Sequence, residues 1–141
     1  MAEGHNTISI STDARYRVDR RRIREAAKRV FKKQGIEDAS MTIALIGDRK
    51  MRMLNKTYRQ QDITTDVLSF PYAETNVPFV DPPKKVLATM LGDIVISYPQ
   101  ARECARIESR LVNDAIDMLV EHGTMHLLGY DHDGLGRWTY T

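Results

Sequence analysis

This 141-residue chain contains a single cysteine, Cys104. One thiol excludes an intrachain disulfide and fits a reducing compartment, where a small hydrophobe on a helix is its ordinary role. An excess of one charge is also missing. The 21 Lys and Arg stand against 19 Asp and Glu, a formal net charge of +2, so the chain as a whole is no polyelectrolyte. No apolar run approaches the ~20 residues that cross a bilayer, which argues against a membrane partner. The opening Met-Ala-Glu-Gly-His-Asn has no basic segment leading into an apolar one, so no secretory signal is read there and the expected location is the cytoplasm. Nor is there an internal repeat, a low-complexity tract or a linker. What remains, 42% hydrophobic and 28% charged, is the composition of a globular protein, read as one domain over residues 1–141 with a single core.

The periodicities along the chain give its parts. Thr7–Ser11 reads as a first strand. Asp19 to Gln34 reads as an amphipathic helix with Ile23, Ala26, Ala27, Val30 and Phe31 inward and Gly35 as its stop. Met41–Ile46 is a β-branched second strand. Asp48 can cap a helix running to about Arg59 with Met51 and Leu54 inward. Val67–Phe70 is a short strand ended by Pro71, and Tyr72–Lys85, with three of the five prolines, reads as a surface loop. Leu87–Met90 leads into a strand around Asp93–Ser97, and Pro99 suits the first turn of the helix after it. Ser109 is read as the cap of a final helix reaching Gly129. Strand, helix, strand at the start implies a parallel pair with a right-handed crossover. The expected fold class is α/β (mixed α+β): a small, mostly parallel sheet of about four strands with packed helices, and a metal site on the last long helix and the turn that follows.

The metal expectation comes from three histidines within eleven residues, His122, His126 and His132. Four residues apart on a helix, the first two share a face with Cβ atoms roughly 5–6 Å apart, close enough for two imidazoles to reach one ion. A glycine, Gly129, can end the helix, and the chain can then return His132 as a third nitrogen. Val112, Ala115, Ile116 and Leu119 lead along one stripe to His122 and His126, which puts the histidines at the wall of the core. Three nitrogens leave one tetrahedral position open, the layout of a catalytic zinc site. One Zn2+ per chain is expected, with nickel or another divalent ion also suited to all-nitrogen ligation. The residue after His122 is Gly123 where zinc proteases of the H-E-x-x-H type carry glutamate, and Glu121 points about 100° away, so a protease is not expected. Asp66, Asp93 and Asp131, with Asp133, are candidates to orient the ligand histidines; turn or capping roles stand equally open for them.

Charge is unevenly spread. Between Arg15 and Lys33 ten basic residues face only Asp19 and Glu25. Such a helix is either a phosphate-backbone footprint or a solvated surface. If the first, Arg20, Arg21, Arg24 and Lys28 are the candidate RNA contacts.

Three blocks, Asn55-Lys-Thr-Tyr-Arg59, Thr65-Asp-Val-Leu-Ser-Phe-Pro71 with Leu91-Gly-Asp-Ile94, and His122 to His132, together resemble the YbeY family of single-strand-specific endoribonucleases. The resemblance spans roughly residues 40–133. It implies a mixed α/β fold, a zinc-type ion on His122, His126 and His132, and RNA cleavage in ribosomal RNA 3′-end maturation and ribosome quality control. The implied partners are single-stranded RNA, ribosomal RNA and the ribosome, with ribosomal proteins as further partners. It also implies a functional role beside the metal for Arg59, which on its own reads as a helix-terminal arginine bonding nearby carbonyls. Two other classes compete: a non-catalytic ribosome-associated RNA-binding factor with a structural metal, which a closed site would favour, and a metal-dependent hydrolase of a small molecule or peptide, which a narrow enclosed pocket would favour.

Overall fold

Four strands form one sheet in the order β1-β2-β4-β3. The computed structural model describes residues 6–72, 77–81, 89–132 and 138–140. In chain order the elements are β1 (Thr7–Thr12), α1 (Arg20–Lys33), β2 (Ala39–Ile46), α2 (Asp48–Arg59), β3 (Val67–Pro71), β4 (Thr89–Ser97), α3 (Tyr98–Glu108), α4 (Val112–Leu127), β5 (Tyr130–His132) and β6 (Trp138–Tyr140). β1, β2 and β4 run parallel and β3 is antiparallel to β4. This is the expected mixed α/β sheet.

Side-chain alternation gives the sheet two covered faces. Met41, Ile43 and Leu45 of β2 with Ile94 and Ile96 of β4 pack under α1 and α4, against Ile23, Phe31, Ile116 and Val120. The intervening Ile46 and Val95 join Leu68 and Phe70 of β3 under α2, against Met51 and Leu54. β2, covered on both sides, is buried along its whole length. That is why its second half, Ile43 to Ile46, is apolar without alternation.

Several element ends follow the sequence. Asp19 caps α1, its carboxylate accepting from the Arg22 amide, and Ser97 caps α3, with proline in the first turn. Two expectations change. Asp48 opens α2 but the cap residue is Gly47. The Asp48 carboxylate instead accepts from Ser97 Oγ at 2.7 Å, Thr64 Oγ at 3.0 Å and Gln100 Nε2 at 3.2 Å, tying three segments together. Ser109 does not start the final helix. It ends α3 in a left-handed conformation (φ 53°), and α4 begins after Leu111, which offers no side-chain cap.

The loop expected over Tyr72–Lys85 lies largely outside the described residues, but within it Val77 is buried in the α2-side cluster. An antiparallel pair, β5 with β6, follows α4; nothing in the sequence pattern announced it. In β4, Gly92 sits at φ 139°, where a Cβ would collide with the Phe70 carbonyl oxygen. This position, beside a register irregularity in the β2–β4 pairing, accepts only glycine.

Candidate active site

α4 lies across β4 and β3 because its inward stripe is flat. Ala115, Ile116, Leu119, Val120, Gly123 and Thr124 are buried. At Gly123 a Cβ would stand 3.0 to 3.2 Å from three atoms of the Ile94 side chain, itself fully buried. The stripe therefore runs on through Gly123 and Thr124, and the histidines sit at its margin, half-exposed. The same packing explains why no glutamate follows His122: that position faces the sheet.

His122 and His126 stand one turn apart with ring centroids 4.9 Å from each other. Both open into a cavity of about 360 Å3 whose far wall is β3, through Val67, Ser69 and Pro71, with Asp66 at its rim. Ser69 Oγ donates to the Gly123 carbonyl at 3.2 Å and pins the edge strand to α4. After α4 the chain turns at Gly129 and β5 comes back against the helix. Its last residue is His132, whose side chain lies outside the described residues, as does Asp133. Among the described residues no group of three or more His, Cys, Asp and Glu is gathered closely enough to hold a metal.

The acidic candidates separate. Asp131 Oδ1 lies 4.0 Å from His126 Nδ1. Asp66 lines the cavity, yet its Oδ1 already accepts from the Val67 amide at 2.8 Å, the turn role, while Cys104 Sγ lies 3.9 Å from its Oδ2. Burial and the nearby Asp66, Glu108 and Glu103 push the Cys104 thiol up, so it stays protonated and acts as a donor. Asp93 is on the opposite face of the sheet. It is bonded to the Thr42 hydroxyl and separated from the histidines by β4 itself.

Arg59, at the end of α2, donates to the Tyr58 carbonyl at 3.0 Å and to the Ser69 carbonyl at 2.9 Å, with its guanidinium carbon 4.9 Å from the Phe70 ring centroid. It therefore bonds carbonyls, and one of them belongs to the residue whose side chain faces the histidine cavity. Ser69 is the contact the sequence reading did not single out. Its signal was the period-2 alternation of β3, which puts Val67, Ser69 and Pro71 on the histidine side.

The basic helix divides into flanks. Arg20 and Arg24 donate to the Ile10 and Ile8 carbonyls of the edge strand β1, and Arg21 pairs with Glu25. With Lys28 these four occupy the flank away from α4. The other flank meets α4: Arg22 pairs with Asp114 and Asp117, and Arg29 with Glu121 at 3.0 Å. No helix among the described residues is long and apolar enough to cross a membrane.

The chain matches the family model described as Endoribonuclease YbeY over residues 7–137. It is 41% identical over 128 residues to the Endoribonuclease YbeY of Anaeromyxobacter sp. (strain Fw109-5), covering 90% of this chain and 62% of that protein. To an Endoribonuclease YbeY of Thermus thermophilus it is 38% identical over 117 residues, 83% of this chain and 79% of that one. It is also similar to the solution structure of a Thermotoga maritima protein, with a TM-score of 0.56 and 26% identity over 89% of this chain and 75% of that chain. The chain spans 62% and 54% of the length of the two Anaeromyxobacter relatives.

Proposed function

Since the chain belongs to the Endoribonuclease YbeY family, we propose that it is a cytoplasmic, metal-dependent endoribonuclease that cuts single-stranded RNA in ribosomal RNA 3′-end maturation and ribosome quality control. The observation that carries this reading is the pair His122 and His126, 4.9 Å apart and facing one cavity against β3. Two half-exposed imidazoles on one helix face, with a carboxylate 4.0 Å from one of them, suit a borderline-soft divalent cation such as Zn2+. His122, His126 and His132 would hold it. When bound, such an ion supplies a Lewis acid for a phosphodiester oxygen.

The chain's own residues do the rest. Asp131, with Oδ1 4.0 Å from His126 Nδ1, would orient that ring by closing to hydrogen-bond distance once an ion is held. Ser69 fixes the distance between β3 and α4, and so the width of the cleft that takes the strand. Arg59, which holds the Ser69 carbonyl at the β3 edge and packs on Phe70, would turn its cation from these carbonyls to a phosphate of the strand. Position 123 carries no general base because it faces Ile94, which argues against peptide hydrolysis.

The test combines metal analysis with cleavage. The purified wild-type protein should carry one divalent ion per chain and cut a single-stranded RNA at least about tenfold faster than its duplex. His126→Ala should lose the ion and cleavage together, because removing a ligand opens the site. Full stoichiometric metal in His126→Ala sinks the ligand assignment, and equal cutting of single strand and duplex sinks the substrate.

A further inference from the structure

His122 lines a second cavity besides the one against β3. On its other side, between α1 and α4, a groove of about 430 Å3 runs past Arg29, Val30, Lys33, Met118 and Met125. The two spaces adjoin across one imidazole, and the second is large enough for a small ligand. We infer that this α1–α4 groove is a nucleotide subsite of the RNA site, with Lys33 holding a backbone phosphate and Val30, Met118 and Met125 receiving the adjacent base. The inference rests on the endoribonuclease reading above and adds to it where the strand runs once past the histidines.

The charge of the walls selects the contact. Arg29 already donates to Glu121 at 3.0 Å and stands 4.0 Å from Asp117. Lys33 is exposed, and among the described residues it makes no ion pair. It follows Arg22 and Arg29 at positions i+11 and i+4, so it shares the flank of α1 that meets α4. Lys28 is turned away from Lys33 by about 140° and Lys32 by about 100°.

The floor is apolar and soft. Val30 is buried and the two methionines are half-buried. Thioether side chains adapt to differently shaped partners and offer no donor pattern. That suits a base held without being read, as in sequence-tolerant single-strand binding. Gln34, also in the groove wall, accepts from the Tyr130 hydroxyl at 3.0 Å. Tyr130 opens the strand that ends in His132, so this hydrogen bond ties the groove wall on α1 to the histidine strand.

The experiment compares charge changes around one helix. Binding of zinc-loaded protein to a labelled single-stranded 2′-O-methyl RNA is followed by anisotropy across a salt series, and cleavage of the matching RNA gives KM and kcat. Lys33→Glu should raise Kd and KM about tenfold, leave kcat within about twofold, and flatten the slope of log K against log salt by about 0.7. Lys32→Glu, the same charge change on the solvent side, should alter each by less than about twofold. Glu121→Gln should tighten binding about threefold, by removing a carboxylate from the groove and releasing Arg29. If wild-type protein cuts RNA but Lys33→Glu and Lys32→Glu behave alike, the subsite is overturned and the endoribonuclease reading stands. If wild-type protein neither binds nor cuts single-stranded RNA, both fall.

Discussion

Asp93 sits within β4 with 8% of its surface exposed, and its carboxylate accepts from the Thr42 hydroxyl of the neighbouring parallel strand. Burial pushes its pKa above the usual carboxylate value, and the Thr42 hydrogen bond only partly opposes that rise. Because the folded pKa is raised, the native state holds the proton more tightly than the unfolded chain. The stabilisation is complete below the unfolded value of 3.8 and is lost as pH rises through the folded one. Asp93→Asn keeps an acceptor for Thr42 without the charge. It should stabilise the protein at pH 7 by on the order of 1 kcal/mol, and the gain should vanish by about pH 3. Urea unfolding at the two pH values measures it. A gain that persists at pH 3, or a loss at pH 7, contradicts the burial argument. Sequence alone offered Asp93 as a candidate to orient a histidine. Only strand register shows that it faces α2, because a side chain changes face with every residue.

At the scale of elements, α1 and α4 are joined by a ladder of arginines on one helix and acids on the other. Arg22 reaches Asp114 and Asp117, and Arg29 reaches Asp117 and Glu121. Asp117 is the inner rung, its side chain only 17% exposed, with Oδ1 buried and unpartnered among the described residues. Its loss of Arg22 should matter more than the loss of an exposed pair. Arg22→Ala should lower stability at low ionic strength, read by urea unfolding. Part of that cost should disappear in 1 M salt, where the Debye length is about 3 Å. Equal destabilisation at both salt concentrations would mean that the arginine's aliphatic stem carries the effect.

This ladder also marks what a sequence can and cannot convey. The extent of α1 was legible because Asp19, Gly35 and the 3.6-residue stripe are local signals. The parallel β1–β2 pair was legible because a crossover helix dictates it. Which flank of the basic helix meets another helix was not, since it depends on α4, some ninety residues away. The start of α4 was misplaced for a related reason: Ser109 is a good cap by type, but a left-handed residue ending one helix occupies it instead. For the site, the i, i+4 histidine pair was legible from spacing alone. The alternation of β3 marks the face of Ser69, but its bond to Gly123 and the Ile94 contact there were not legible, because both arise where β3, β4 and α4 meet.

For the molecule as a whole, the sheet has two edges, β1 and β3, and arginines attend both. Arg20 and Arg24 donate to β1 carbonyls at Ile10 and Ile8, and Arg59 donates to the β3 carbonyl at Ser69. Unpaired edge carbonyls are a template for a strand of another molecule, and charged side chains laid along them are a common block. The double variant Arg20→Ala, Arg24→Ala should therefore keep its helical content by circular dichroism yet self-associate with rising concentration, read by size exclusion with light scattering. A variant that stays monomeric at all concentrations would remove this role from the helix. The consequence reaches beyond ligand binding. A cation that bonds an outward carbonyl denies that place to another donor, so a second copy adding its own strand there would first have to displace an arginine. On this prediction the arginines that first suggest an anionic partner have work to do even when the protein is alone: holding its edges against its own kind.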